Sequence, residues 1–207
     1  NNDIVGNSHG GDGEIESTYV RLFSEAYSAT DTGGIFKQRN SLGLENDGSS
    51  RSLARYIKEV AEMYVPNFSV KLIYRRDRYL RGGDHSSFNE RGFAAVRFTE
   101  AKENFDRQHQ DVRTEDEKSY GDLPEVMDFE YCSKIARVNA ATLASLALAP
   151  SPPSNVEIMT KNLAYTTTLR WRKNTEPDIA GYFVRYRETT SPMWQHSVFT
   201  QDTLHTL

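Results

Sequence analysis

A proline-rich segment, Ala149-Pro150-Ser151-Pro152-Pro153-Ser154, divides the sequence into two differently patterned regions. Proline fixes its own φ angle and lacks a backbone N–H, so such a segment behaves as a semi-rigid linker. Residues 1–149 mix helical and strand-like patterns, whereas residues 155–207 contain only short strand-like runs. We therefore expect two structural units joined by a linker at residues 150–154.

The first region has the alternation of helix and strand that is typical of an α/β fold. After Ser50, apolar residues recur at the spacing of one helical face until Pro66 ends the pattern. The predicted strands are residues 19–23, 69–75 and 93–98, and the predicted helices are residues 50–64 and 122–148.

The second predicted helix begins at Asp122-Leu123-Pro124, where a proline in the first turn costs no hydrogen bond. Its predicted buried stripe consists of Phe129, Cys132, Ala136, Leu143 and Ala147. Cys132 is the single cysteine of the chain, so we interpret it as an inert packed thiol. A single cysteine also excludes an internal disulfide framework and zinc sites built from several cysteines.

Turn signals about every 8–12 residues divide the second region into short alternating runs, which favours an antiparallel sandwich. The expected strands are residues 156–159, 167–172, 181–187, 194–200 and 203–207. The placement of Leu169-Arg170-Trp171 and Asp178-Ile179-Ala180-Gly181-Tyr182 resembles the first half of a fibronectin type III module. Because a complete sandwich of this kind needs about 100 residues, we expect a small, incomplete all-β sandwich over residues 155–207.

Charge and hydropathy exclude two classes of partner. The net charge of −4 provides no basic field for nucleic acid, and no apolar run approaches the roughly 20 residues that span a bilayer. The chain opens on Asn1-Asn2-Asp3 without an initiator Met, and we expect it to begin partway through a longer protein.

Two histidines follow predicted strands in polar loops, where functional residues concentrate. His85 lies in the loop before residues 93–98, and His109 lies in the loop after them. Asp3 follows a probable strand end, so these loops could converge at one edge of a sheet. Imidazole and carboxylate are ligands that suit zinc. The other histidines, His9, His196 and His205, are interpreted as ordinary loop or surface residues.

Several separated motifs resemble, in their order, the co-catalytic di-zinc exopeptidases of the bacterial-type secreted aminopeptidase family. The motifs are Asn1-Asn2-Asp3-Ile4-Val5-Gly6, Gly83-Asp84-His85-Ser86-Ser87-Phe88, Gly92-Phe93-Ala94-Ala95-Val96-Arg97-Phe98 and Gln108-His109. The resemblance covers residues 1–149 and implies part of a mixed-sheet zinc-exopeptidase fold with flanking helices. It also implies a peptide substrate and a secreted or periplasmic protein.

By this resemblance, Asp3 and His109 each bind one of two zinc ions, and Asp84 and His85 support the site through hydrogen bonds. The family often has a tyrosine before the final histidine, where this chain has Gln108. The family's remaining ligands and its general base precede the position of Asn1. We therefore expect the fragment to be inert without the missing N-terminal half of the same domain.

Two other readings stay open. The chain could be a non-catalytic relative of the same fold that acts in binding or scaffolding, or an adhesive sandwich protein whose first domain is unrelated to peptidases. The charged run Arg75-Arg76-Asp77-Arg78 is interpreted as a solvated strand exit, with a structural ion pair or a substrate-carboxylate contact as the functional alternative. Asp31-Thr32-Gly33 spells the aspartic-protease triplet, but no second copy supplies the partner carboxylate.

Overall fold

The computed structural model describes residues 1–160 and 165–207, which fall into two units, Asn1–Leu146 and Ala147–Leu207. The strands of the first unit are β1 (Tyr19–Phe23), β2 (Ser69–Ile73), β3 (Arg97–Glu100), β4 (Arg113–Glu115) and β5 (Lys118–Tyr120). Its helices are α1 (Gly33–Ser41), α2 (Ser49–Tyr64), α3 (His85–Asn89) and α4 (Phe129–Ala147), with 3-10 turns at Leu44–Asp47 and Pro124–Val126. Among the described residues, no helix combines the length and the apolar character needed to cross a membrane.

A three-stranded mixed sheet with the order β2-β1-β3 forms the centre of the first unit. β1 pairs with β2 in parallel and with β3 antiparallel. The connection from β1 to β2 contains α1 and α2, as a parallel pair requires a crossover. An α/β unit with a mixed sheet is therefore confirmed, and the zinc-exopeptidase fold stays a prediction.

The N-terminal segment extends this sheet beyond β3. Asn2 bridges to Phe98 in parallel, and the Asp3 N–H donates to the Phe98 carbonyl at 3.2 Å. The Glu100 N–H then donates to the Ile4 carbonyl at 2.9 Å. These backbone hydrogen bonds fix Asp3 against the strand that precedes the His109 loop, which we define as residues 101–112.

The core of the first unit joins the sheet to α2 and α4. Ala54, Ile57 and Ala61 of α2 are buried together with Ile135 and Val138 of α4. Val20, Leu22, Val70 and Phe98 supply the sheet's part of this cluster. Burial of these contiguous apolar side chains is the main stabilising contribution to the unit.

The predicted buried stripe of α4 is wrong by one residue. Tyr131, Ile135, Val138 and Thr142 are buried, whereas Phe129 and Leu143 are 66% and 67% exposed. The prediction failed because two of the buried residues carry hydroxyl groups. The Tyr131 hydroxyl can be buried because it donates a hydrogen bond to the Tyr19 carbonyl at 2.9 Å. The hydroxyl of Thr142 likewise donates to the Val138 carbonyl at 2.8 Å. Cys132, expected to be packed, is half-buried.

Two predicted boundaries also shift. α4 begins at Phe129 and not at 122, because the Asp128 carboxylate accepts the Tyr131 N–H at 2.9 Å, as a helix cap does. The strand predicted at residues 93–98 is β3, Arg97–Glu100, and Phe93 is 64% exposed. Helix α1 and the β4–β5 hairpin have no counterpart among the predicted elements.

The second unit contains two antiparallel sheets. Its strands are β6 (Ser154–Ile158), β7 (Thr168–Arg172), β8 (Tyr182–Tyr186), β9 (His196–Thr200) and β10 (Leu204–Thr206). One sheet has the order β10-β7-β6, and the other pairs β8 with β9. Trp171 and Val184 are buried, and the Trp171 ring meets Tyr182 edge-on with centroids 5.4 Å apart. The five expected runs all contain a strand, whereas the fibronectin-like assignment stays a prediction.

Candidate functional site

Asp3 lies against a buried arginine of β3. The Asp3 Oδ2 atom is 2.8 Å from Arg97 Nη2, and Arg97 is fully buried. Arg97 Nη1 also bonds Asp77 Oδ2 at 2.6 Å and the Gly82 carbonyl at 2.8 Å. A buried guanidinium is stable only when it is paired and hydrogen-bonded. Here two carboxylates and a carbonyl pair with the Nη atoms, while Nε has no partner among the described residues.

Asp77 is the second carboxylate on this arginine. Burial raises the pKa of Asp77, but hydrogen bonds from the Arg78 N–H and from Arg97 outweigh that effect and hold the pKa below its usual value. The carboxylate is therefore ionised at neutral pH. The prediction that residues 75–78 are a solvated strand exit is therefore wrong for two of them. Asp77 is buried, and Arg78 forms an ion pair with Glu103.

His85 and Asp84 lie beside the same arginine network. His85 Nε2 is 2.8 Å from the Arg76 carbonyl, so this nitrogen carries the proton, and burial lowers the pKa of the imidazole. Asp84 Oδ2 accepts a hydrogen bond from the Asn1 side-chain amide at 3.3 Å. The structure thus brings three predicted site residues, Asp3, Asp84 and His85, to one region. We call Asp3, Asp77, His85 and Arg97 the Asp3 network.

Gly83 fills the space between Asp3 and His85. A Cβ atom at Gly83 would lie 3.0 Å from Asp3 Oδ2 and 3.2 Å from His85 Nδ1. His85 Nδ1 is buried and has no hydrogen-bond partner among the described residues. The glycine therefore permits a close approach that any side chain would disturb.

His109 is placed differently. Its imidazole is exposed, and its backbone has φ = 54°, in the left-handed region. No hydrogen bond or ion pair of the described residues joins it to the Asp3 network. Ile4, next to Asp3, also has a left-handed φ of 63°, which is strained for a β-branched residue. Five other described non-glycine residues share this backbone region, so it does not by itself mark a site. They are Asn67, Leu80, Asp116, Glu117 and Asn155.

A cavity of about 220 Å³ lies between the segments that carry these two residues. Its wall includes Ile4, which follows Asp3, and Gln108, which precedes His109. Leu123, Val126 and Met127 supply apolar surface on the remaining side. The neighbours of both predicted metal ligands therefore border the same cavity.

Glu100 is a buried acid in the wall of this cavity, only 1% exposed. Its Oε2 accepts the Asn7 N–H at 3.2 Å, and its Oε1 accepts the Gln108 amide at 2.9 Å. Burial raises the pKa of Glu100 to about 7. Sequence patterning missed Glu100 and Arg97 as site residues, whereas the ion pair of Asp77 matches the functional alternative for the charged run at residues 75–78. The available signal was the presence of two charged residues, Arg97 and Glu100, directly after the apolar run Phe93-Ala94-Ala95-Val96.

The donor types fit zinc, but the number of donors is small. Asp3 offers a carboxylate whose Oδ2 is paired with Arg97, and His109 offers an imidazole nitrogen. Zinc sites generally use four ligands. Among the described residues, no group of three or more His, Cys, Asp or Glu side chains could hold a metal ion. The chain therefore fits zinc as the source of part of a ligand set.

The chain is similar to several fungal proteins named probable zinc metalloproteases. It is 44% identical over 194 residues to one from Leptosphaeria maculans, covering 94% of this chain and 45% of that protein. It is 43% identical over 208 residues to one from Pyricularia oryzae, covering 98% of this chain and 41% of that protein. It is 41% identical over 198 residues to one from Pyrenophora teres f. teres, covering 95% of this chain and 41% of that protein.

The chain thus spans less than half the length of these relatives. No family model and no solved structure matches it. The relatives' names support the coarser part of the sequence resemblance, a zinc metalloprotease. They do not distinguish an aminopeptidase from other metalloproteases, nor do they give the number of zinc ions.

Proposed function

We propose that this chain is part of a zinc-dependent aminopeptidase that removes N-terminal residues from peptides. The observation that carries the proposal is the cavity bordered by both Ile4 and Gln108, the chain neighbours of the two proposed zinc ligands. The similarity to probable zinc metalloproteases supports the metal and the reaction class. The order of the motifs in the sequence supports the aminopeptidase type.

In this proposal Asp3, whose Oδ2 pairs with Arg97, would hold one of two zinc ions, and His109 would hold the other. The ions, when bound, activate a water molecule and polarise the scissile carbonyl. Asp84 and His85 support the site by position: Asp84 accepts from Asn1, two residues before Asp3, and His85 is anchored on the Arg76 carbonyl. The remaining ligands and the general base belong to sequence outside this chain.

The second unit is proposed to be a fibronectin type III-like module of a secreted protein. Support comes from its two antiparallel sheets, the order β10-β7-β6 and the buried Trp171. Sandwich domains of this kind place a buried tryptophan between sheets. Limited proteolysis followed by circular dichroism of the released fragment would test whether this unit folds as an all-β module.

A non-catalytic binding or scaffold role is the second candidate. It is favoured by the absence, within residues 1–160 and 165–207, of any cluster of three metal-binding side chains. Zinc content distinguishes the two candidates, because a scaffold that has lost its ligands would contain none in elemental analysis of the full-length protein.

The test uses the full-length protein with an aminoacyl chromogenic amide. We expect zinc-dependent release of the chromophore, and His109→Ala should lower the rate at least about tenfold at a fixed zinc concentration, since a lost ligand weakens metal binding. His205→Ala, in the second unit, is the control and should leave the rate unchanged. Turnover by His109→Ala equal to that of the unmodified protein would remove His109 from the proposal.

A further inference from the structure

The two proposed ligands lie on segments that are distant in sequence, and one residue links these segments. Glu100 is the last residue of β3, between the N-terminal segment and the His109 loop. Its backbone N–H donates to Ile4, its Oε2 accepts from Asn7, and its Oε1 accepts from Gln108. Two of these contacts hold the segment after Asp3, and the third holds the residue before His109.

The backbone that carries the Glu100 side chain is held by hydrogen bonds to two other elements of the unit. The Glu100 carbonyl accepts the Arg21 Nε–H at 2.8 Å, and the next N–H, of Ala101, donates to the Tyr131 hydroxyl at 3.0 Å. Tyr131 is itself fully buried in the core. Backbone contacts to β1 and α4 therefore fix Glu100 before its side chain makes any contact with the two segments.

Both oxygens of Glu100 are occupied by protein donors. Each oxygen thus already accepts a hydrogen bond from one of the two segments, and this geometry suits a support role. Leaving a buried donor without its acceptor is costly. The separation of Asn7 and Gln108 consequently depends on the length of this side chain and on its two acceptor oxygens.

We propose that Glu100 is a positioning residue of the proposed zinc centre. It holds the Ile4–Asn7 segment and Gln108 at a fixed separation, so that Asp3 and His109 can face a common pair of ions. The inference rests on the proposed function. It goes beyond it by assigning a role to a residue outside the proposed ligand set.

The test compares variants of the full-length protein in which the bridge is altered in steps. Glu100→Gln keeps the size but replaces one acceptor oxygen with an NH₂ group, which cannot accept from Asn7 or Gln108. Glu100→Asp keeps the charge but shortens the reach by one methylene. Glu103→Gln is the matched control, because Glu103 is a half-buried carboxylate three residues away that pairs with Arg21 and Arg78.

Zinc affinity is measured by competition with a chromophoric chelator, and turnover is measured at saturating zinc. We expect Glu100→Gln to weaken zinc binding about 10–100-fold, as loss of a supporting contact does elsewhere, with a larger effect on kcat than on KM. Glu100→Asp should recover part of the affinity, and Glu103→Gln should change it less than about twofold. The melting temperature of each variant is recorded alongside.

If Glu100→Gln does not fold, Gln108→Ala serves in its place, because it breaks the link to His109 and leaves the buried acid in the core. It should weaken zinc binding in the same direction. Unchanged zinc affinity and kcat in a folded Glu100→Gln, or in Gln108→Ala, would overturn the role of Glu100 and leave the aminopeptidase proposal standing. Absence of zinc and of turnover in the unmodified protein would overturn both.

Discussion

The Asp3 network and the His109 loop both contact β3, but they are held in different ways. In the network, Asp3 is tied by its backbone to Phe98 and by its carboxylate to Arg97, which also binds Asp77. In the loop, His109 is exposed, and its neighbour Gln108 is tied through one side-chain hydrogen bond to Glu100. One proposed ligand is thus paired with a buried charge. The other is an exposed residue of a loop that is held at Glu103, Asp106 and Gln108.

This contrast indicates which part of the site is formed before metal binds. The Asp3 carboxylate has limited freedom to rearrange, because moving it would take one of two carboxylates away from the buried Arg97. An exposed imidazole on a loop can change position at little cost. We infer that the Asp3 side is organised by folding, and that the His109 side is completed when a ligand binds.

The largest expected effect comes from removing the arginine of the Asp3 network. Arg97→Leu leaves Asp3 and Asp77 without their buried cation, and breaking a buried ion pair typically costs about 3–5 kcal/mol. Urea denaturation of the full-length protein should show this loss. Arg75→Leu, at an exposed position in the same charged run, is the control and should change the free energy of unfolding by less than about 0.5 kcal/mol. Equal stability of the two variants would show that the network is not held by charge.

The second prediction concerns pH and the link between the two regions. Burial raises the pKa of Glu100 to about 7, so between the ordinary glutamate pKa and that value the folded state binds more protons than the unfolded state. The contribution of Glu100 to stability is therefore fully present at low pH and is lost as pH rises through about 7, by at most about 3 kcal/mol.

Glu100→Gln should remove this pH dependence, so that the difference in unfolding free energy between pH 5 and pH 8 shrinks relative to the unmodified protein. Urea titrations at the two pH values measure it. Glu115→Gln, at an exposed carboxylate of β4, is the control, because Glu103 itself contributes to the raised pKa of Glu100. A pH dependence that is the same in Glu100→Gln would contradict a raised pKa at Glu100.

The elements that could be predicted are those in which one face alone is apolar. Residues 50–64 were predicted as a helix, and α2 spans Ser49–Tyr64, because its apolar residues repeat at helical spacing. β3 could not be placed in this way. All four of its residues are buried, and two of them are charged, so the sequence shows no alternation there.

In the candidate site, too, some residues could be predicted from the sequence and others could not. Motif resemblance identified Asp3, Asp84 and His85, and the structure brings them to one region. Arg97 and Glu100 were missed because their burial is made possible by partners 20 or more positions away or by backbone atoms of distant loops. A pattern in one stretch of sequence does not reveal such partners. The proposed pairing of Asp3 with His109 stays a prediction.

The smallest expected effect tests how closely the Asp3 network is packed. A Cβ atom at Gly83 would lie 3.0 Å from Asp3 Oδ2 and 3.2 Å from His85 Nδ1, closer than ordinary van der Waals contact. Gly83→Ala should therefore displace one of these groups and lower the free energy of unfolding by about 1–2 kcal/mol, as overpacking does. Gly82→Ala is a matched control one residue earlier, because its added Cβ would meet only the Ser86 hydroxyl, at 4.0 Å. The atoms nearest to the added methyl groups belong to Asn1, Asp3, His85 and Ser86, none of them in the His109 loop. The free energy of unfolding, measured without zinc, should therefore fall in Gly83→Ala and not in Gly82→Ala. If Gly83→Ala is as stable as Gly82→Ala, then the network can yield to an inserted methyl group, and the rigidity that distinguishes it from the His109 loop would be disproved.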